Sequence, residues 1–121
     1  MDRLHRIRLL LGDNAVQTLQ SKTVMVVGCG AVGSVVIEAL ARSGIGHLIL
    51  VDFDKIEESN INRQLFACVS TIGMSKVDAA YNRIQDISPD IQITTLNMFW
   101  DENSVPNITP DFVIDAIDSV S

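Results

Sequence analysis

The sequence predicts an α/β fold, a Rossmann-like doubly wound parallel sheet with strand order 3-2-1-4 and helices at its N terminus. Three observations predict it. Continuous apolar runs at residues 23–27 and 47–51 are typical of strands buried on both faces of a parallel sheet. A segment with helical spacing separates the two runs. A glycine-rich turn joins the first run to that segment, as in a dinucleotide-binding unit.

The remaining elements follow from periodicity and from stop signals. One or two short helices are expected in residues 2–20, broken at Gly12. A helix is predicted over residues 31–43, with Gly44 as its stop and with Val32, Val36, Ala39 and Leu40 on its buried face. Residues 53–73 are expected to form a loop with a short helix near residues 63–67. The pattern further predicts a helix at 75–87, a strand at 91–96 and a strand that begins at Phe112.

Length and composition indicate one globular domain. The chain has 121 residues, of which 47% are hydrophobic and 20% are charged, which excludes a disordered chain. A net charge of −6 is not typical of a nucleic-acid-binding protein. The sequence contains no apolar stretch long enough to span a membrane and no signal peptide, and its two cysteines form no CxxC pair. We therefore expect a soluble, cytoplasmic protein without membrane contact.

The acidic residues concentrate near the C terminus. Residues 84–121 contain seven acidic side chains and no basic one, whereas residues 1–83 carry a balance of +1. Either this asymmetry reflects solvated loops, or a further part of the protein carries the compensating charge. The chain also ends just after its fourth predicted strand, with no helix to cover that strand. Either a further part of the protein or a partner chain would then cover the fourth strand. We expect residues 1–121 to form one domain, with residues 1–20 as a helical extension, and to be a fragment of a longer protein.

The glycine-rich turn, Gly28-Cys29-Gly30-Ala31-Val32-Gly33, fits the pattern G-x-G-x-x-G between a strand and a helix. In this pattern the first glycine permits the tight turn, the second lets a phosphate approach the backbone, and the third allows close packing of helix on strand. The helix N terminus adds free N–H groups and a partial positive charge. The placement predicts a nucleotide site, and the alternative is a close-packing glycine cluster without a ligand. Cys29 is expected to be a small packed residue.

Asp52 ends the second predicted strand, where a carboxylate can accept hydrogen bonds from ribose hydroxyls. A nicotinamide dehydrogenase would show the same residue, so the glycine turn and Asp52 do not distinguish NAD from ATP.

The polar segment that follows, residues 52–64, favours ATP. Asn60, Arg63 and Gln64 are expected beyond the carboxyl edge of the predicted sheet, where amide donors, a guanidinium and a metal-binding carboxylate can clamp a triphosphate. The alternative is an ordinary polar loop. Met98, Phe99 and Trp100 are expected to anchor the chain under the sheet, with a base-stacking platform as the alternative.

These two motifs together resemble the ThiF/MoeB/HesA family of adenylating enzymes, relatives of the ubiquitin-activating enzymes. The resemblance covers nearly the whole chain, from about Arg6 onward. The resemblance rests mainly on two motifs, G-C-G-A-V-G-S at residues 28–34 and D-F-D-x-I-E-x-S-N-I-N-R-Q at residues 52–64. Three further stretches, residues 38–46, 70–76 and 112–119, look most like the branch of tRNA threonylcarbamoyladenosine dehydratases. That branch uses ATP to activate a carboxylate of a modified adenosine in tRNA.

The resemblance implies a set of site residues. Gly30 and Ala31 would line the phosphates, Asp52 would hold the ribose, and Asp118 would bind Mg²⁺ as the essential acid. Arg63 would be catalytic, and Arg6 would enter the site of a neighbouring subunit, which implies a homodimer. The full set of implied nucleotide-binding residues is Gly28, Gly30, Ala31, Gly33, Asp52, Asp54, Ser59, Asn60, Arg63, Gln64, Lys76 and Ser119.

The expected function is therefore ATP-dependent and Mg²⁺-dependent adenylation of a carboxylate, with tRNA as substrate. One alternative is adenylation of the C terminus of a ubiquitin-like sulfur-carrier protein. Others are an NAD-dependent oxidoreductase and a domain that binds nucleotide without catalysis. Because the relatives are longer, we expect weak or absent turnover from these residues alone.

Overall fold

The computed structural model describes residues 3–99 and 109–117, and these residues form a parallel sheet. Its strands are β1 (Thr23–Val27), β2 (His47–Asp52), β3 (Gln92–Asn97) and β4 (Phe112–Asp115). The strand order is β3-β2-β1-β4, and every pairing is parallel. The predicted fold class and strand order are confirmed. The carboxyl ends of all four strands therefore meet at one edge of the sheet.

Both faces of the central strands are buried, which explains why β1 and β2 are continuously apolar. Val24, Val26, Leu48 and Leu50 face the main core. Met25, Val27, Ile49 and Val51 point to the opposite face and are also buried. The edge strand β4 differs, since Phe112 is 61% exposed and Val113 is 58% exposed.

Two helices, α3 (Ala31–Ser43) and α4 (Lys76–Ile87), pack on the main-core face. The predicted bounds of α3 and its stop at Gly44 are confirmed, since Gly44 caps the helix in the left-handed conformation. Ser75 is the N-cap of α4, and its hydroxyl accepts a hydrogen bond from the N–H of Asp78.

The predicted buried face of α3 is wrong in part. Gly33, Ile37 and Ala41 are buried, whereas Val32 is 65% exposed and Ala39 is also exposed. Val36 and Leu40 are partly buried against the core, as predicted. Apolar side chains of α3 occupy most of the circumference of the helix. Periodicity alone therefore does not show which side of α3 is buried. The glycine turn selects it, because Gly33 packs directly on the backbone of Gly28 and turns the row that contains Ile37 and Ala41 toward the sheet.

The N-terminal segment forms two short helices, α1 (His5–Leu11) and α2 (Asp13–Gln20), which confirms the predicted break at Gly12. Gly12 has a φ of 89°, a conformation that favours glycine. Leu4, just before α1, is buried against Gly44, and Gly46 packs against the last residue of α2. Among the described residues, no helix is both long and apolar enough to cross a bilayer.

The loop between β2 and α4 contains two 3₁₀ turns, at Glu58–Asn60 and Val69–Thr71. The short helix predicted near residues 63–67 is absent, and these residues form turns. The 3₁₀ turns form where side chains cap them: Asn60 Oδ1 accepts the N–H of Glu57, and Thr71 Oγ1 accepts the N–H of Cys68. Phe66 and Ala67, between the two turns, are buried in the main core and hold the loop against the sheet.

Candidate functional site

A pocket of about 560 Å³ opens at the carboxyl edge of the sheet. In parallel α/β sheets this edge is the usual place for a ligand. The structure brings together eight of the predicted nucleotide-binding residues at its wall: Gly28, Gly30, Asp52, Asp54, Asn60, Arg63, Gln64 and Lys76.

The three glycines of the turn have different structural roles. Gly28 has a φ of 104°, and a Cβ there would lie 2.5 Å from the carbonyl oxygen of Ala116, after β4. A Cβ on Gly33 would overlap the carbonyl oxygen of Gly28, so Gly33 allows close packing of α3 on the turn and does not line the pocket. A Cβ on Gly30 would point toward the side chains of Gln64 and Lys76, at 3.4 Å and 4.0 Å. Gly30 therefore keeps open the space between the turn and these two side chains.

The carboxylate of Asp52 is held by two backbone groups. Its Oδ2 accepts the N–H of Cys29 at 2.8 Å, and its Oδ1 accepts the N–H of Asp54 at 2.8 Å. Each oxygen keeps a further lone pair that can accept a ligand hydroxyl. Asp52 thus joins the end of β2 to the glycine turn as well as lining the pocket.

Asn60 and Gln64 are polar side chains buried at the pocket wall, at 6% and 9% exposure. The Oδ1 atom of Asn60 already accepts the N–H of Glu57 in the cap of its own 3₁₀ turn. Its amide nitrogen is therefore the group that can donate a hydrogen bond to a ligand. The N–H of Gln64 donates to the carbonyl oxygen of Asn60 at 2.9 Å, which keeps the two residues one helical turn apart.

Arg63 lines the pocket and holds its own turn. Its Nη1 donates to the carbonyl oxygen of Ser59 at 2.9 Å and to Oδ1 of Asn62 at 3.0 Å. A guanidinium has five N–H donors, so the N–H groups of Arg63 that these two bonds do not use can donate to a ligand. Ser59 is exposed and is not at the pocket wall, and it contributes this carbonyl oxygen.

Lys76 is a buried cation at the first position of α4, with 9% exposure. Its Nζ lies 3.8 Å from Oδ2 of Asp54, a carboxylate that is 53% exposed. A positive charge beside a helix N terminus is unfavourable, because that end of the helix is itself partially positive. Burial adds a desolvation cost. A bound anion would offset both effects.

Several predicted site residues lie elsewhere. Arg6 lies on α1, in a surface depression that it lines with His5, Leu9 and Leu10. Ala31 is the first residue of α3 and is not at the pocket wall. Asp118 and Ser119 fall outside the described residues, although Ile117, just before them, lines the pocket.

An apolar rim of the pocket was not predicted. Phe53 and Phe99 form a tilted pair with ring centroids 5.1 Å apart, and Met98 and Ile117 complete the rim. Met98 and Phe99 are 39% and 63% exposed, so for these two the predicted anchor under the sheet is wrong. Trp100 lies outside the described residues. The position of Phe53 and Phe99 just after neighbouring strands is the signal that could have placed them at the pocket.

The two cysteines are in opposite environments. Cys29 is buried, as predicted, and burial raises the pKa of its thiol well above the usual value. Cys68 is exposed, and hydrogen bonds with the side chains of Ser70 and Thr71 lower the pKa of its thiol. Neither cysteine lines the pocket.

The amino-acid sequence is similar to those of known enzymes. A model of the ThiF family matches residues 2–121. The chain is 42% identical over 123 residues to a tRNA threonylcarbamoyladenosine dehydratase of Bacillus subtilis, covering 99% of this chain and 48% of that protein. It is 51% identical over 84 residues to a ubiquitin-like modifier-activating enzyme 5 of Bombyx mori, covering 69% of this chain and 21% of that protein.

The fold also matches a solved structure. The tRNA N6-threonylcarbamoyladenosine dehydratase of E. coli in complex with ATP superposes with a TM-score of 0.93 at 37% identity, covering 98% of this chain and 50% of that chain. The chain thus spans about half the length of these dehydratases.

Proposed function

The chain belongs to the ThiF family, and we propose that its pocket binds ATP and activates a carboxylate of threonylcarbamoyladenosine in tRNA by adenylation. The observation that carries this proposal is that Lys76 and Gln64 face the open space beside Gly30, in a pocket that Arg63 also lines. A buried cation at a helix N terminus and a nearby guanidinium suit a polyanion such as a triphosphate. The similarity to dehydratases, one of them solved with ATP, supports the same ligand.

In the proposed reaction, a carboxylate oxygen attacks the α-phosphorus of ATP. A new P–O bond forms, the bond to the leaving pyrophosphate breaks, and pyrophosphate takes the electron pair. Both reactants are anions, so fixed positive groups must offset their repulsion. Arg63 and Lys76 would supply that charge, and removal of one such fixed donor typically costs about 3 kcal/mol of transition-state stabilisation. The substrate itself is the nucleophile, so the protein mainly positions it.

The proposal includes Mg²⁺, with Asp118 as its protein ligand. Mg²⁺ commonly uses one or two carboxylates and completes its shell with water and phosphate oxygens. Two observations support this part of the proposal: Ile117, the residue before Asp118, lines the pocket, and so does Asp54, whose carboxylate is half-exposed. The residues that the structure describes contain no group of three side chains that could hold a metal by themselves. The ion would supply positive charge at the phosphates.

We further propose a homodimer in which Arg6 enters the pocket of the neighbouring subunit. In its own chain Arg6 lies apart from the pocket residues, on the helix that exposes Leu9 and Leu10 at 74% and 82%. An exposed apolar helix face beside a cation suits an interface between copies. With a tRNA substrate, the proposed reaction would take place in the cytoplasm.

A second candidate function is adenylation of the C terminus of a ubiquitin-like protein. The 51% identity to an activating enzyme of that class favours it. The chemistry at the α-phosphorus is the same, and the difference lies in which carboxylate reaches the pocket. The nicotinamide-dependent oxidoreductase remains as a third class, since the glycine turn and Asp52 are common to both nucleotides.

The proposal is tested by exchange of radiolabelled pyrophosphate into ATP. We expect exchange that depends on tRNA bearing threonylcarbamoyladenosine, and that is weak when these 121 residues act alone. Exchange that depends on a ubiquitin-like carrier protein would support the second candidate and overturn the tRNA proposal. NADH binding without ATP binding, measured by calorimetry, would support the oxidoreductase.

The dimer proposal is tested by mixing two inactive variants, Arg6→Ala and Arg63→Ala. If Arg6 acts across the interface, a mixed dimer contains one complete site, and the mixture recovers part of the exchange activity that each variant lacks. No recovery in a mixture shown to exchange subunits would contradict a trans role for Arg6.

A further inference from the structure

Ser34 joins the two sides of the pocket through one buried hydroxyl. Its Oγ donates to the carbonyl oxygen of Ala31 at 3.2 Å and accepts the backbone N–H of Leu65 at 3.2 Å. Its backbone N–H donates to the carbonyl oxygen of Gly30 at 2.8 Å. The side chain is fully buried. Ser34 therefore contacts both the glycine turn and the loop that carries Arg63 and Gln64.

The hydrogen bond to Leu65 restrains the backbone next to Gln64. Leu65 follows Gln64 directly, and the Gln64 side chain lies across the open space from Gly30. A backbone held at Leu65 therefore helps to set the distance between the glycine turn and the side chains opposite it. Phe66 anchors the same loop in the core, but an apolar contact is not directional and does not orient the N–H of Leu65.

We infer that Ser34 is a positioning residue that aligns Arg63 and Gln64 with the glycine turn for recognition of the triphosphate. This inference rests on the proposed function. The hydroxyl is suited to the role because its single O–H donor and one of its acceptor lone pairs are both used, which defines its orientation. A near-isosteric alanine removes both hydrogen bonds and leaves the backbone of α3 in place.

The test compares Ser34→Ala with Ser43→Ala on the full 121-residue chain. Ser43 lies on the same helix, and its Oγ donates to the carbonyl oxygen of Ala39 at 2.7 Å, a bond of the same kind with no link to the loop. Calorimetry measures the Kd of ATP and of AMP for each variant. We expect Ser34→Ala to weaken ATP binding roughly fivefold, the effect of about one hydrogen bond, and AMP binding less than twofold. Ser43→Ala should change neither.

The ratio of the ATP and AMP affinities separates positioning from general loosening. A purely structural role would weaken both nucleotides equally, because AMP shares the base, the ribose and the α-phosphate. Equal weakening, or unchanged ATP binding by Ser34→Ala, would therefore overturn the inference while leaving the proposed function intact. A wild-type chain that binds no ATP would instead overturn the proposed function, and this inference with it.

Amide hydrogen exchange provides a second measurement. By NMR, the Leu65 amide should exchange faster in Ser34→Ala than in the wild type, and Ser43→Ala should leave it unchanged. An unchanged Leu65 exchange rate in Ser34→Ala would contradict the hydrogen bond as a positioning contact. If Ser34→Ala does not fold, Ser34→Cys takes its place, since a thiol is similar in size and a weak acceptor, and the same loss in the ATP-to-AMP ratio is expected.

Discussion

The backbone N–H of Cys29 donates a 2.8 Å hydrogen bond to Oδ2 of Asp52, so the acidic residue at the end of β2 holds the glycine turn that follows β1. The other oxygen of the same carboxylate accepts the N–H of Asp54. A ligand that contacts Asp52 thus meets a side chain whose orientation the fold has already set. This arrangement reduces the entropy lost when a nucleotide binds.

Asp52 should therefore contribute to stability as well as to binding. We expect Asp52→Ala to lower the free energy of unfolding by roughly 2 kcal/mol, because two backbone donors lose their acceptor. Asp52→Asn should cost less, since its amide oxygen can still accept one of the two. Urea denaturation measures both, with Asp86→Ala, an exposed acid on α4, as the control. An Asp52→Ala variant as stable as the control would contradict a stabilising role for the two hydrogen bonds that Asp52 accepts.

The same substitution at two glycines should have different effects. Gly33→Ala places a Cβ against the carbonyl oxygen of Gly28, and we expect it to cost about 3 kcal/mol of stability or to prevent folding. Gly30→Ala directs its Cβ toward the side chains of Gln64 and Lys76, so it should leave stability nearly unchanged and weaken ATP binding. Thermal unfolding and calorimetry separate the two effects. Equal stabilities for the two variants would be inconsistent with the packing of Gly33.

Lys76 should matter for binding much more than for folding. We expect Lys76→Met to weaken ATP binding at least about tenfold, the effect of a charge-assisted hydrogen bond. Stability should not fall, because methionine fills the space and removes a buried charge from a helix N terminus. Lys22 precedes β1, at the edge of the sheet opposite to the pocket. Lys22→Met is therefore the control for the loss of one positive charge. Comparable ATP affinity in the two variants would contradict a phosphate-binding role for Lys76.

Glu38 should make stability depend on pH in the acid range. Its hydrogen bond to Arg83, at 2.9 Å between Oε1 and Nε, holds the pKa of the carboxyl below its usual value near 4.5. The stabilisation is therefore present above pH 4.5 and is lost as the pH falls through the lowered pKa. Glu38→Gln should flatten this part of the stability profile, and Glu58→Gln, an exposed acid, should not. The check is a series of urea denaturation curves between pH 6 and pH 3.

The cysteines should differ in their reaction with iodoacetamide. Cys68 is exposed and its pKa is lowered, so its reactive thiolate should form at lower pH than in a free cysteine. Cys29 should react only on unfolding, because it is buried and its pKa is raised. Mass spectrometry of the native chain should show a single modification, located at Cys68. Rapid modification of Cys29 in the folded protein would mean that the glycine turn opens.

The local sequence determined most of the elements and the position of the site. Continuous apolar runs identify β1 and β2 because both faces of these strands are buried, and the glycine pattern locates the turn because only glycine fits the close contacts at Gly28 and Gly33. The polar residues after β2 were placed at the sheet edge correctly, since parallel strands bring their carboxyl ends together. The roles assigned to all of the site residues stay predictions, and of these residues Asp118 and Ser119 lie outside the described part of the chain.

Tertiary contacts decided the rest. The buried face of α3 depends on the contact of Gly33 with Gly28, and periodicity cannot choose a face on a helix that is apolar nearly all round. Phe53 and Phe99 are distant in sequence and become one rim of the pocket only when β2 and β3 pair. The link from Ser34 to Leu65 spans 31 residues and exists only because the loop folds back onto α3. Hydrophobic and glycine patterns reflect the conformation and burial of one segment and of those next to it in sequence. Contacts between segments distant in sequence depend on how the whole chain folds.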